Sequence, residues 1–137
     1  MKLKGEDIKR LIPQRLPFVM VDEFEQSDSQ QAVTALTVRD GNYFLLPDGS
    51  LAEAGLIEHM AQSCSALAGS KSEREAAPIG MIVEIKHFTC QRRPLSGDKI
   101  ETCVQFGLTF GQMTLAHCTS TIDGETVAEI DLKIFME

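Results

Sequence analysis

Between Ser50 and Gly69 runs L-A-E-A-G-L-I-E-H-M-A-Q-S-C-S-A-L-A, a long segment of small and apolar side chains. A surface helix carries a polar half, and this one barely has any, so it is expected to be buried nearly all round. Ala54, Ala61, Ala66 and Ala68 allow backbone to approach on several sides. Ser50-Leu-Ala-Glu53 has capping-box spacing, the serine oxygen accepting from the Glu53 amide and the glutamate reaching back to the Ser50 amide. Gly69 stands where a left-handed C-terminal residue belongs. A helix of this kind needs a surround.

The rest of the chain supplies strands. A short helix, Glu6 to Leu11, places Ile8, Leu11 and Ile12 on one side and stops at Pro13. Phe18 to Phe24 and Ala32 to Val38 read as strands, and Pro47-Asp48-Gly49 as a turn. A polar connection, Gly69 to Pro78, follows the long helix, and four strand-like runs come after it. In one of them Ile100, Thr102, Val104, Phe106, Leu108 and Phe110 face one way, and Glu101, Cys103, Gln105 and Thr109 the other. In the last, Ala128, Ile130, Leu132 and Ile134 oppose Glu129, Asp131 and Lys133. Asp123-Gly124 predicts a tight hairpin and Gly111-Gln112 a second bend. The expectation is a single α+β domain over 1–137, an antiparallel sheet of about six strands wrapped around one central helix. That is the hotdog architecture, which commonly dimerises edge to edge and so hides a strand edge.

Composition removes several function classes. Lys and Arg total 13 against 20 Asp and Glu, a formal charge of −7, which argues against nucleic acid as the main partner. No apolar run approaches the ~18–20 residues of a membrane span. Glu6 and Asp7 fall where a signal peptide needs an apolar stretch, so a soluble cytoplasmic protein is expected. Cys64, Cys90, Cys103 and Cys118 form no C-x-x-C pair, and we read each as a small, reduced, apolar side chain. No metal or cofactor is called for. Glycine-rich phosphate loops, H-E-x-x-H and G-x-S-x-G are all missing.

Glu58 is the sharpest chemical feature, a carboxylate two turns into an apolar helix beside Leu56, Ile57, Met60 and Ala61. Out of water, such a group either shifts its titration or finds a partner, and both suit a general acid or base. Gln62, four residues on, shares its face and is placed to hold the carboxylate or a substrate carbonyl. His59 points about 100° away and reads as a half-buried, satisfied imidazole. His87 and His117 read as structural or surface residues. Arg92-Arg93-Pro94 breaks a strand near Lys86, giving either a solvated bend or a docking patch for a phosphopantetheine arm or acidic carrier.

Three segments carry a resemblance. Leu11-Ile-Pro-Gln-Arg-Leu-Pro-Phe-Val-Met-Val-Asp22 resembles the L-P-H-R-x-P-F-L-L-V-D opening of the FabZ-type 3-hydroxyacyl-carrier-protein dehydratases. Gly55-Leu-Ile-Glu-His-Met-Ala-Gln62 resembles their G-V-L-I-x-E-A-M-A-Q helix, and Arg92-Arg-Pro-Leu-Ser-Gly-Asp98 their R-R-P-V-x-P-G-D bend. The segments keep the family's order and span most of the chain. Pro47 to Gln62 is closer still to the shorter dehydratase-like proteins of aryl polyene pathways. The resemblance makes Glu58 the acid that protonates the departing 3-hydroxyl, opposite a histidine that removes the α-proton. That histidine belongs just upstream of the helix, where this chain reads Gly41-Asn-Tyr-Phe-Leu-Leu-Pro-Asp-Gly49. The family's other histidine is Gln14 here, and glutamine accepts no proton at neutral pH. The family's thioester carbonyl faces an amide at the helix start. With Ser50 as cap, the Gly55 amide lies inside the helix, leaving Gly55 a packing role, whereas a helix beginning nearer Gly55 would restore that amide as a substrate-binding group.

The expected function is therefore a dehydratase-like protein for 3-hydroxyacyl thioesters of fatty-acid or polyene biosynthesis, without the family histidine. His59, a water or a partner subunit would replace it. The alternatives are a non-catalytic partner or acyl-thioester binder, and a thioesterase in which Glu58 with Gln14 or Gln62 activates water. Expected partners are an acyl-carrier-protein or coenzyme A thioester, and a second hotdog subunit in a homodimer, heterodimer or higher oligomer.

Overall fold

The structure, a computed structural model, describes residues 1–71 and 80–136. Strand β1 (Lys2–Lys4) leads into a 3-10 helix (Gly5–Arg10) and strands β2 (Glu23–Asp28) and β3 (Gln31–Thr37). Helix α1 (Glu53–Ser70) follows, then β4 (Gly80–Cys90), β5 (Lys99–Phe110), β6 (Met113–Ile122) and β7 (Glu125–Met136). The strands form one antiparallel sheet in the order β1-β2-β3-β5-β6-β7-β4. α1 packs against every strand from β2 to β7. This is the hotdog fold, and the added strand is the three-residue β1 at one edge.

The helix is buried as its composition demands. Leu56, His59, Met60, Gln62, Ser63, Cys64, Ala66 and Leu67 are all inside, and they meet Ile100, Val104, Cys118, Ile130 and Leu132 from the sheet. Ile8, Leu11 and Ile12 close one end of the core. Asp123 and Gly124 take φ of 51° and 83°, the left-handed pair of a tight hairpin. Phe110 pairs with Met113 across the Gly111-Gln112 bend. Among the described residues no helix is long and apolar enough to cross a membrane, and no His, Cys, Asp and Glu cluster is placed to hold a metal.

Several local expectations are corrected. Phe18 to Asp22 is not strand; β2 starts at Glu23, and residues 18–21 instead cross the helix. The capping box does not form. Asp48 Oδ1 takes both the Ser50 hydroxyl (2.6 Å) and the Ser50 amide (2.9 Å), so the helix begins at Glu53 with Ala52 as an N-cap lacking a side-chain bond. Gly69 is not a left-handed terminus but lies within α1, where a Cβ would collide with the Leu11 carbonyl oxygen. The β5 alternation holds through Phe106, then a register shift before Thr109 leaves Leu108 and Phe110 exposed. Cys64 and Cys118 are buried thiols, whereas Cys103 is exposed and Cys90 intermediate. From residue 72 onward, the expected polar connection lies outside the described residues.

Candidate active site

Glu58, Ala61, Gln62 and Ser65 lie at i, i+3, i+4 and i+7 on α1 and share one face. That face lines a cleft of about 340 Å³ together with Gln14, Gly80, Met81, Ile82 and Ile134. Glu58 is half-buried. Its Oε1 accepts a hydrogen bond from Gln62 Nε2 at 2.8 Å, and among the described residues it forms no ion pair. The partner of this carboxylate on an apolar helix is a neutral amide.

Gln62 is held rigidly. Its Oε1 accepts from the Met20 amide at 2.7 Å, and its Nε2 also donates to the Phe18 carbonyl at 2.8 Å. One amide orientation satisfies all three bonds; the flipped one sets NH₂ against N–H and oxygen against two acceptors. Gln14 contributes the opposite feature, an Oε1 that is buried with no hydrogen-bond partner among the described residues.

His59 does not enter the cleft. It is fully buried rather than half-buried, with Nδ1 2.6 Å from the Met20 carbonyl and Nε2 2.8 Å from Thr102 Oγ1. Burial pulls its pKa down to about 4, so at neutral pH the ring is uncharged and occupied on both nitrogens. His59 is therefore excluded as the replacement base. His87 and His117 lie on the outer face of the sheet, donating to the two oxygens of Asp131 at 2.8 and 2.7 Å. The His117 and His87 bonds hold the Asp131 carboxyl below the usual carboxylate range.

The remaining sequence candidates support the site from outside. The Gly55 amide donates to the Ala52 carbonyl at 2.9 Å, and a Cβ there would meet Phe44 Cβ at 2.5 Å. Gly55 is a packing position, admitting the loop before the helix. Arg92 pairs with Asp98 (3.2 Å) and Arg93 with Asp48 (3.7 Å), while Lys86 pairs with Glu84 (3.5 Å). The two arginines brace loops, and Lys86 pairs along its own strand β4. Sequence reasoning missed the backbone clamp of Phe18 and Met20, which has no side-chain signature. It also missed Ser65, which the i+7 spacing from Glu58 would have flagged.

A family model described as ApeP-like, ApeP dehydratase, matches residues 6–137. The chain belongs to the ApeP-like dehydratase family. It is 28% identical over 135 residues to the 3-hydroxyacyl-[acyl-carrier-protein] dehydratase FabZ of Rhizobium etli, covering 92% of this chain and 84% of that one. The dehydratase heterocomplex ApeI:P from Xenorhabdus doucetiae superposes with a TM-score of 0.87 at 22% identity, covering 98% of this chain and 91% of that chain. A hypothetical thioesterase from Streptococcus pneumoniae, solved with coenzyme A, shares the fold at a TM-score of 0.66 and 12% identity, over 83% of this chain and 84% of that one. The family assignment makes this a dehydratase-like protein.

Proposed function

We propose that this chain is the carboxylate-bearing subunit of a two-subunit dehydratase for 3-hydroxyacyl thioesters carried on acyl carrier protein. One observation carries the reading: the cleft contains an oriented carboxylate, and all three histidines of the chain are committed elsewhere. A base removes the C2 proton, the C3–O bond breaks, and Glu58 protonates the departing hydroxyl so that water and a 2-enoyl thioester leave. The base is a histidine of a second hotdog subunit. Support comes from the cleft wall itself, since Met81 and Ile82 belong to β4, the edge strand at the cleft. A subunit added along that edge would stand across from Glu58. The Gln14 oxygen, without a partner among the described residues, suits a donor from substrate or from that subunit.

The test measures hydration of a 2-enoyl thioester by this chain alone and after co-expression with a histidine-bearing hotdog homologue. Activity is expected only in the complex, with carrier-protein thioesters preferred over coenzyme A. Complex activity that survives Glu58→Gln would assign this chain the non-catalytic role. Because a protein described as a hypothetical thioesterase shares the fold, release of thiol from a saturated acyl thioester is followed in parallel. Glu58-dependent thiol release without hydration would select water activation instead.

A further inference from the structure

The imidazole of His59 takes no part in the proposed chemistry, yet it heads a path of hydrogen bonds that ends on Glu58. A carbonyl cannot donate, so the 2.6 Å contact with Met20 O requires the proton on Nδ1. Nε2 is then an acceptor for the Thr102 hydroxyl at 2.8 Å, and Thr102 Oγ1 accepts from Ser120 at 2.6 Å. Every direction along this path is fixed by the chemistry of its ends. Ser63 Oγ adds a bond to the His59 carbonyl (2.7 Å) and meets Thr34 Oγ1 (2.6 Å), tying the same helical turn to β3.

Residues 18–21 belong to no strand, so no ladder of sheet bonds fixes them. They nevertheless supply both halves of the clamp on Gln62, the Phe18 carbonyl and the Met20 amide. The imidazole is what grips Met20 from the core side. His59 and Met20 have 0% exposure and Gln62 1%, so water cannot substitute for a lost bond.

Building on the dehydratase reading, we infer that His59 is a positioning residue: its Nδ1–H holds Met20, Met20 and Phe18 fix the Gln62 amide, and Gln62 aims Glu58 into the cleft. The histidine acts through the backbone and never touches substrate.

The experiment separates this role from simple core filling. His59→Asn places a side-chain N–H where Nδ1–H lies and gives up the Thr102 bond. His59→Gln keeps a polar reach toward Thr102 and gives up Met20. Both remove an imidazole, so a packing role predicts losses that follow stability alone. The positioning role predicts that exchange of the Gln62 side-chain amide protons, read by NMR, rises about tenfold or more in His59→Gln and is restored close to wild type in His59→Asn. In the active complex, kcat is expected to fall about 10–100-fold in His59→Gln with KM little changed, and to recover in His59→Asn. Equal Gln62 exchange in the two variants overturns the inference. So does an Nε2–H tautomer in the imidazole ¹⁵N spectrum of the wild-type chain, a measurement that needs no variant to fold. Both NMR readouts stand whether or not the complex proves to be a dehydratase.

Discussion

Glu58 is tolerable on α1 because Gln62 meets it with a neutral N–H. Removing that amide has a cost that can be anticipated. Gln62→Ala leaves the buried Met20 N–H without its partner and frees the part-buried Phe18 C=O, and is expected to destabilise the fold by about 1–3 kcal/mol in chemical denaturation. Gln62→Ala with wild-type stability would mean the clamp is dispensable. His59 gives a pH signature. Its folded pKa, near 4, lies below the ordinary 6.5, so the unfolded chain takes up a proton more readily. Stability from the neutral ring is complete above about pH 6.5 and is lost as pH falls toward 4, by about 3 kcal/mol in total. Denaturation at pH 7 and pH 5 is expected to show this slope, and His59→Asn to flatten it. Glu58 and its i+4 partner were legible from helical spacing alone. The depth of His59 was not, because it depends on Thr102 and Ser120, two hydroxyls that the sequence places on distant strands.

Among the elements, α1 was legible as a buried rod because its small residues leave no polar face. Its ends were not. The Ser50-x-x-Glu53 signal competes with Asp48, two residues upstream, whose carboxylate captures both Ser50 groups. Leu51 is further tied to Pro94 (2.7 Å) and Ala52 to Phe44 (3.0 Å), which keeps residues 50–52 extended. At the other end, Gly69 marks a crossing instead of a stop. Gly69→Ala gains about 1 kcal/mol of intrinsic helix preference, yet its methyl would fall on the Leu11 backbone, where no rotamer change gives relief. A net loss of about 1–3 kcal/mol is expected, read as a lowered Tm. An unchanged or raised Tm would show that the 3-10 helix end shifts freely. The strands were legible wherever alternation is unbroken, as in β7. The β5 bulge was not, because a register shift reverses which face Leu108 and Phe110 occupy without altering their order.

At the scale of the molecule, the two sheet edges are unlike. β1 is three residues long and carries Lys2 and Lys4, features that discourage pairing. β4 is eleven residues long and exposes Met81 (61%), Val83 (50%) and Ile85 (45%). The proposed strand addition at β4 would account for this asymmetry, and Met81 and Ile82 of the same strand line the cleft. Val83→Lys is expected to shift the assembled species toward monomer in sedimentation and to remove complex activity with Glu58 intact. An unaffected assembly would move the interface elsewhere. The central claim is that Glu58 works as an acid opposite a base this chain does not own. Its most direct test is the single-turnover rate of 2-enoyl thioester hydration by the complex with a histidine-bearing hotdog subunit, comparing wild type with Glu58→Gln. The account predicts a fall of roughly 10²–10⁴-fold with assembly unchanged; equal rates would contradict it.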